Sequence, residues 1–328
     1  MTKRVLVTGY GGFLGCTIVR QLREHGFAVR GIARGHYPQL ERLGIEAVRA
    51  SIVDRDAVIA ASRNCDAIIH TAALAGVWGK WRDYYQTNTL ATSHLLEAAV
   101  TNQVQAFVYC SSPSVTFDAQ PQSGIDERAP YPKRWLCFYP QTKALAEFAV
   151  LQASQRGALR TCALRPHLIW GVGDPHLFPR VIERARCGKL RRVGDGRNLI
   201  DVVHIENAAR AHVQALQRLL ANDNALNGQA LFITDGQPVA CWDWITRILN
   251  SANIPVPKHS ISYTTAYRLG TVLESLYWTF RVRSEPPMTR FIAAQLALDH
   301  YFSIEKARRL ISYQPSVDVD AEFAKLNA

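Results

Sequence analysis

A chain of 328 residues, 48% hydrophobic and 20% charged, can bury a large core without staples, and this composition excludes extensive disorder. The net charge of +11 is spread along the chain, and its densest group (Arg184, Arg186, Lys189, Arg191, Arg192) is short; it reads as a solvated face or an anion-attracting rim, with no nucleic-acid partner required. Seven cysteines without paired spacing argue against a disulfide framework or zinc site and for a reducing, cytoplasmic setting, and a strand within five residues of Met1 leaves no room for a signal peptide.

In chain order, residues 4–8 read as a strand, 13–25 as a helix, and 27–33 and 45–49 as strands. Helical segments follow near 54–63 and 81–101, with strands at 67–71 and 106–110. Strands separated by helices make βαβ units, hence a doubly wound α/β class with a parallel sheet covered on both faces. After a helix at 141–154 and a strand at 161–164, the chain becomes richer in Pro, Gly and Arg as far as Gly196. Residues 205–220 read as a return to the main layer, 231–233 as a late strand, and the stretch from Trp242 onward as mostly helical. The expected division is a main domain of 1–165 plus about 200–235, and a smaller region of about 166–199 plus 236–328.

Gly9, Gly12 and Gly15 fall directly after the first strand and at the start of a helix. Gly9 permits a tight turn, Gly12 lets backbone N–H groups approach a pyrophosphate, and Gly15 lets the helix pack closely. A plain strand-to-helix turn is the alternative, but the N-terminal context points to a dinucleotide cradle that includes Phe13 and Leu14. The second strand closes Gly31–Ile32–Ala33–Arg34, without the acid that would hold the ribose hydroxyls of NAD. Arg34 can stack on adenine and pair with a 2′-phosphate, so NADP(H) is expected over NAD(H). The alternative is a solvent-facing arginine that touches nothing.

Tyr139–Pro140–Gln141–Thr142–Lys143 places a tyrosine and a lysine at i, i+4 on one helix face. Free tyrosine titrates near pH ~10, and a nearby ammonium stabilises its phenolate; a shift of roughly three units corresponds to about 4 kcal/mol. A surface tyrosine beside a solvated lysine is the alternative. Upstream, Val108–Tyr109–Cys110–Ser111–Ser112–Pro113–Ser114–Val115 ends a strand in serines, where an open α/β sheet exposes its ligand side.

With these motifs in place, the sequence resembles the extended short-chain dehydrogenase/reductase family. Thr8–Gly15, Asp66–Ala73, Ser111–Val115, Tyr139–Lys143, Leu164–Pro166 and Asp201–Asn207 come in family order across nearly the whole chain. The resemblance implies a Rossmann-type sheet with a smaller, mostly helical C-terminal substrate-binding domain. It implies that Tyr139 donates or accepts the proton, that Lys143 binds the nicotinamide ribose, and that Ser112 hydrogen-bonds the reacting carbonyl. Pro166 would sit beside the nicotinamide, and Ala72 and Ala73 would let their loop pass close to the cofactor. Ser111, Ser114, Asn88 and His70 read as structural, and Ser51 stands where the family usually has an aspartate touching adenine.

Leu164–Pro175, Gly194–Asp201 and Ile233–Pro238 are similar to the 3β-hydroxysteroid dehydrogenase branch. Within it, Gly35–Pro38, Ala75–Gly79, Thr265–Gly270 and Glu285–Phe291 resemble bacterial enzymes that reduce 2-alkyl-3-oxoalkanoates in long-chain olefin biosynthesis. That resemblance implies NADPH-dependent reduction of the 3-keto group of a long-chain 2-alkyl-3-oxo acid, with Arg180 or Arg197 as candidates for holding the carboxylate. The rivals are an NAD-dependent 3β-hydroxysteroid or sterol dehydrogenase and a nucleotide-sugar epimerase or reductase. A non-enzymatic dinucleotide sensor is disfavoured because both Tyr139 and Lys143 are kept.

Residues 261–282 read as an apolar-rich helix with Leu269, Val272, Leu273, Leu276, Tyr277 and Phe280 in a stripe. The stripe can roof a pocket for alkyl chains, lie in a membrane interface with Tyr277 and Trp278 as anchors, or pack on its own domain. Arg268, Glu274 and Arg281 interrupt it, which argues against a transmembrane span. By analogy with the family, helices over 81–101 and 141–154 would form a homodimer, and association with other enzymes stays open.

Overall fold

Seven strands form the central sheet of the computed structural model, which describes residues 2–155, 157 and 159–326. They are β1 (Arg4–Thr8), β2 (Ala28–Ala33), β3 (Glu46–Arg49), β4 (Ala67–His70), β5 (Ala106–Cys110), β6 (Arg160–Pro166) and β7 (Gln229–Ile233). Their order is β3-β2-β1-β4-β5-β6-β7, every pair parallel, with Val5 level with Val29 on one side and Ala67 on the other. The chain winds outward in opposite directions from β1 and β4, which makes their carboxyl ends the topological switch point of a Rossmann-type sheet.

Both faces of the inner strands are covered, so β1, β4 and β5 are buried on both sides instead of alternating, while the edge strand β3 stays mostly exposed. Val5 and Val7 pack with Ile18 and Leu22 of α1 (Phe13–Glu24), while Leu6 faces the opposite layer. That layer comprises α2 (Arg55–Ala61), α3 (Ala91–Thr101) and α4 (Phe138–Ala153), represented by Val58, Leu95 and Val150. Asp54 caps α2 by accepting from Ala57 N, and a π-helical segment, Tyr85–Leu90, leads into α3. Helix α4 begins at Phe138, not at 141. Pro140 fits its first turn because amides there have no intrahelical partner to lose.

The remaining helices include α5 (Leu177–Arg186), α6 (Ile205–Leu220), α7 (Cys241–Ser251), α8 (Tyr263–Thr279) and α9 (Arg290–Ala297). Helix α6 packs with α1 on the main sheet, as Ala208 and Leu216 show. A second core surrounds the fully buried Trp170, stacked on Phe323 and edge-on to Trp244 of α7. A small sheet joins Val239–Ala240, Leu199–Ile200, His300–Phe302 and Gln122–Ile125. Gln122–Ile125 thus leaves the first half of the sequence to pair with the C-terminal part, a strand absent from the sequence reading. All seven cysteines are free thiols, and Cys65, Cys110, Cys162 and Cys241 are buried.

Helix α8 departs from one expectation. None of its residues lines the central cavity, so it does not roof a pocket there. Its buried side consists of Ala266, Gly270 and Glu274, and a Cβ on Gly270 would lie 2.7 Å from Arg290 N. This close approach to α9 turns Leu269, Val272, Leu276 and Phe280 outward. Among the described residues, no helix is long and apolar enough to cross a membrane.

Candidate active site

One cavity of about 1090 Å³ opens across the carboxyl ends of β1, β2, β4, β5 and β6. Gly9, Gly12, Phe13, Leu14, Gly15, Arg34, Ala72, Ala73, Ser112, Tyr139, Lys143 and Pro166 all line it. The sequence motifs, spread from Gly9 to Pro166, therefore meet in one place.

The glycine loop has little room for side chains. Gly9 has a φ of 67°, and a Cβ there would come within 3.0 Å of the Ala72 backbone. A Cβ on Gly15 would meet Gly9 O at 2.2 Å, so the helix can only sit this close to the turn with glycine there. Gly12 caps α1 without a side-chain hydrogen bond, and the first turn carries no acid. Its unpaired amides and positive helix end suit a pyrophosphate. Tyr37, which the sequence reading missed, packs its ring against Gly11 and lies edge-on to Tyr10 at 5.2 Å. Arg34 is exposed at the cavity rim, its carbonyl accepting from Arg49 Nε at 3.2 Å. Among the described lining residues the one carboxylate is Asp174, occupied in capping α5 through the amides of His176, Leu177 and Phe178. The walls therefore suit an anionic dinucleotide.

At the other end, β5 delivers Ser112, whose Oγ accepts from Ser114 N at 3.3 Å and lies 2.9 Å from Ser114 Oγ. Helix α4 delivers Tyr139 and Lys143 one turn apart. Lys143 Nζ donates to Cys110 O at 2.5 Å and lies 4.2 Å above the Tyr109 ring centroid. Burial pulls its pKa down to about 8. Desolvation pushes the Tyr139 hydroxyl up, the Cys110 thiol adds to the rise, and the neighbouring Ser112 hydroxyl opposes it. Burial therefore sets the direction, against the lowering expected of a neighbouring ammonium.

Supporting contacts hold these groups in register. Asn88, inside the π-helical segment, accepts from Leu74 N at 2.7 Å and donates to Leu74 O and Thr142 Oγ1. Buried His70 bridges Thr8 and Thr92 at 2.7 and 3.0 Å, and desolvation drops its pKa to about 3, leaving it neutral. One turn beyond Lys143, Glu147 pairs with Arg165 at 2.6 and 3.0 Å and accepts from the Tyr131 hydroxyl at 2.6 Å. Burial alone would raise the Glu147 carboxyl, but Arg165 and Tyr131 hold it below its usual range. This pair, absent from the sequence reading, ties α4 to the strand carrying Pro166.

Of the two arginines considered for a substrate carboxylate, Arg180 lines the cavity and the exposed Arg197 does not. Arg180 and Arg184 share Glu285, which leaves one net positive charge at the rim. Phe117, Leu168, Ile169, Leu177, Phe291 and Phe302 supply apolar wall.

Residues 6–263 match the family described as 3-beta hydroxysteroid dehydrogenase/isomerase. The chain is 42% identical over 327 residues to the 2-alkyl-3-oxoalkanoate reductase of Stenotrophomonas maltophilia, across 99% of this chain and 98% of that protein. It is 40% identical over 328 residues to the protein of the same name from Shewanella oneidensis, across 98% and 85% respectively. Among solved structures, UDP-glucuronic acid 4-epimerase from Bacillus cereus in complex with NAD is similar with a TM-score of 0.72, at 20% identity over 99% of this chain and 100% of that one. At that identity the likeness concerns the fold.

Proposed function

Because the chain belongs to the 3-beta hydroxysteroid dehydrogenase/isomerase family and is a nicotinamide-dependent oxidoreductase, we propose that it uses NADPH to reduce the 3-keto group of a long-chain 2-alkyl-3-oxoalkanoic acid to the 3-hydroxy acid. The near full-length likeness to two bacterial 2-alkyl-3-oxoalkanoate reductases carries this reading. In it, the enzyme works in the reducing cytoplasm, where its seven cysteines stay thiols.

Bound NADPH would supply the hydride. The free amides of Phe13, Leu14 and Gly15 at the start of α1 hold the pyrophosphate, and Arg34 holds the 2′-phosphate. Ser112 donates a hydrogen bond to the substrate carbonyl oxygen, and Tyr139 delivers its proton to that same oxygen. Desolvation keeps Tyr139 protonated at neutral pH, the state that reduction requires. Lys143 balances the phenolate left behind. The net positive charge at Arg180, Arg184 and Glu285 draws an acid towards the mouth, and the aromatic and aliphatic walls accept its alkyl chains.

The test is NADPH and NADH oxidation by the wild type and Tyr139→Phe, with a long-chain 2-alkyl-3-oxo acid and with a 3-ketosteroid. Turnover of the keto acid with NADPH, lost in Tyr139→Phe, is the expected result. Turnover of the steroid alone, with NADH preferred, would replace the substrate assignment with a steroid dehydrogenase.

A further inference from the structure

Immediately after Pro166, the cavity wall carries a pair of histidines that the chemistry above does not use. His167 and His300 both line the cavity, and both are at least nine-tenths buried. His300 Nε2 lies 2.8 Å from the carbonyl oxygen of Gln295, so this nitrogen must carry hydrogen and donate. In the neutral ring, His300 Nδ1 is then a bare acceptor, and it lies 2.7 Å from His167 Nε2. That contact needs hydrogen on His167 Nε2, which leaves His167 Nδ1 as a lone pair. The backbone thus sets the tautomer of both rings. Among the described residues no hydrogen bond uses His167 Nδ1, and this nitrogen is not fully sealed off.

The pair stands on the serine side of the cavity. His300 is level with Gln122 in the small sheet, and Gln122 Nε2 donates to Thr116 O at 2.8 Å. Thr116 ends the short turn that Ser112 caps. Leu168, which follows His167, has a φ of 43°, a backbone region that a branched side chain seldom enters. Strain of this kind persists where the surroundings over-determine it, commonly at ligand sites.

Few charges surround the rings. Asp299 precedes His300, Asp201 accepts from Phe302 N, and Asp235 accepts from His204 N and from Asn207. Arg165 on β6 is neutralised by Glu147. Asp174 and Arg180 lie elsewhere on the lining, each already partnered. Burial lowers the His167 and His300 pKa values, that of His300 to about 4, so the pair is neutral at pH 7.

From this geometry we infer that His167 binds the carboxylate of the substrate, taking one proton from solvent onto Nδ1 as the acid docks. The inference rests on the reading that the substrate is a 3-oxo acid. In such an acid, the carboxylate carbon is two bonds from the carbon that is reduced. Its binding group must therefore lie close to Ser112 and Pro166, whereas Arg180 sits at the rim. A bare lone pair repels a carboxylate, and the added proton turns that contact into an imidazolium–carboxylate pair whose other end donates to His300. A ligand without the carboxylate brings no proton and gains nothing at His167, which makes the pair a discriminator between acids and neutral alcohols.

The experiment uses a 2-alkyl-3-hydroxyalkanoate and the secondary alcohol lacking only its carboxylate. Initial rates of oxidation with NADP⁺ are compared for the wild type, His167→Phe and His167→Gln. Calorimetry of the NADPH-loaded proteins with the hydroxy acid, in buffers of different ionisation heat, counts protons. The wild type is expected to take up about one proton and to favour the acid, and His167→Phe to lose about tenfold or more in kcat/KM for the acid, mostly through KM, with the alcohol unaffected. His167→Gln, which can still bond His300, is expected to take up no proton. An acid-to-alcohol ratio and proton count unchanged in both variants would overturn the role of His167 while leaving the substrate reading intact. A wild type that oxidises neither compound would overturn the substrate reading and the carboxylate role together.

Discussion

Tyr139 and Lys143 sit one helical turn apart, yet desolvation moves their proton affinities in opposite directions, because one is neutral and the other charged when protonated. Tyr139 therefore keeps its proton well into the alkaline range, while Lys143 begins to lose its charge near pH 8. A phenolate formed during reduction needs that charge. Reductive turnover is thus expected to fall as pH rises through about 8, and Lys143→Met to lower kcat by about 10² or more and abolish this limb. Rate profiles from pH 6 to 10 check both. The same lowered pKa makes the buried lysine less costly to fold at high pH: its contribution to stability rises between about 8 and 10.5. At the opposite end of the cavity, Arg34→Ala is expected to raise KM for NADPH about tenfold and to leave NADH nearly unchanged, since only NADPH carries the 2′-phosphate. Equal losses for both cofactors would remove Arg34 from the phosphate site. Residues of this kind were legible in the sequence because each acts within a few positions of its neighbours: the glycines of one turn, or a tyrosine and lysine of one helix face. His167 and His300 are 133 positions apart and meet only through the fold, so no spacing announced them.

At the scale of elements, the main strands and helices were legible because an apolar run bounded by turn residues has few other stable uses. The elements that escaped are short and polar. Gln122–Ser123–Gly124–Ile125 has no apolar pattern of its own, and becomes a strand only because His300–Phe302 supplies its partner. Other element contacts depend on single buried groups. The Glu147–Arg165 pair joins α4 to β6, with relative side-chain exposures of 0% and 4%. Glu147→Ala is expected to destabilise the protein by about 3–5 kcal/mol by leaving the guanidinium buried and uncompensated, whereas Glu147→Met with Arg165→Leu should cost much less. Denaturant midpoints of the two variants decide it, and equal losses would mean that packing, not charge, holds the helix. Helix α8 has the reverse problem, a row of apolar residues left exposed. Leu269, Val272, Leu276 and Trp278 are exposed, Phe280 is 72% exposed, and Arg268, Arg281 and Arg283 stand among them. Trp78 packs against Trp278 at 4.8 Å and continues the patch. We propose that this face rests on an anionic bilayer surface, since aromatic anchors beside arginines suit lipid headgroups. Sedimentation with anionic vesicles should carry the protein down at low salt, and Trp278→Ala with Phe280→Ser should release it; binding that persists in the variant would reject the assignment.

For the molecule as a whole, one side of the sheet is covered by helices that do not finish burying themselves. Helix α4 turns Ala146 and Val150 inward and leaves Leu145 and Phe148 at 41% and 55% exposure, while α3 leaves Val100 at 62%. Leu145 and Phe148 are spaced i, i+3 and so share a face, which runs along the outside of the helix that also carries Tyr139 and Lys143. A two-fold axis beside α3 and α4 would place this face against its own copy, an isologous contact that covers both sets of apolar residues at once. We therefore propose that the protein is a homodimer through α3 and α4. Sedimentation equilibrium at micromolar concentration should give twice the 36.7 kDa chain mass. Neither Leu145 nor Phe148 lines the cavity, so Leu145→Glu with Phe148→Glu should yield folded monomers that still bind the dinucleotide. A charge introduced there would have to be buried unpaired in the dimer, a cost of several kcal/mol per site that exceeds what such a contact returns. If the wild type sediments as a monomer, or the doubly charged variant as a dimer, α3 and α4 are not the interface.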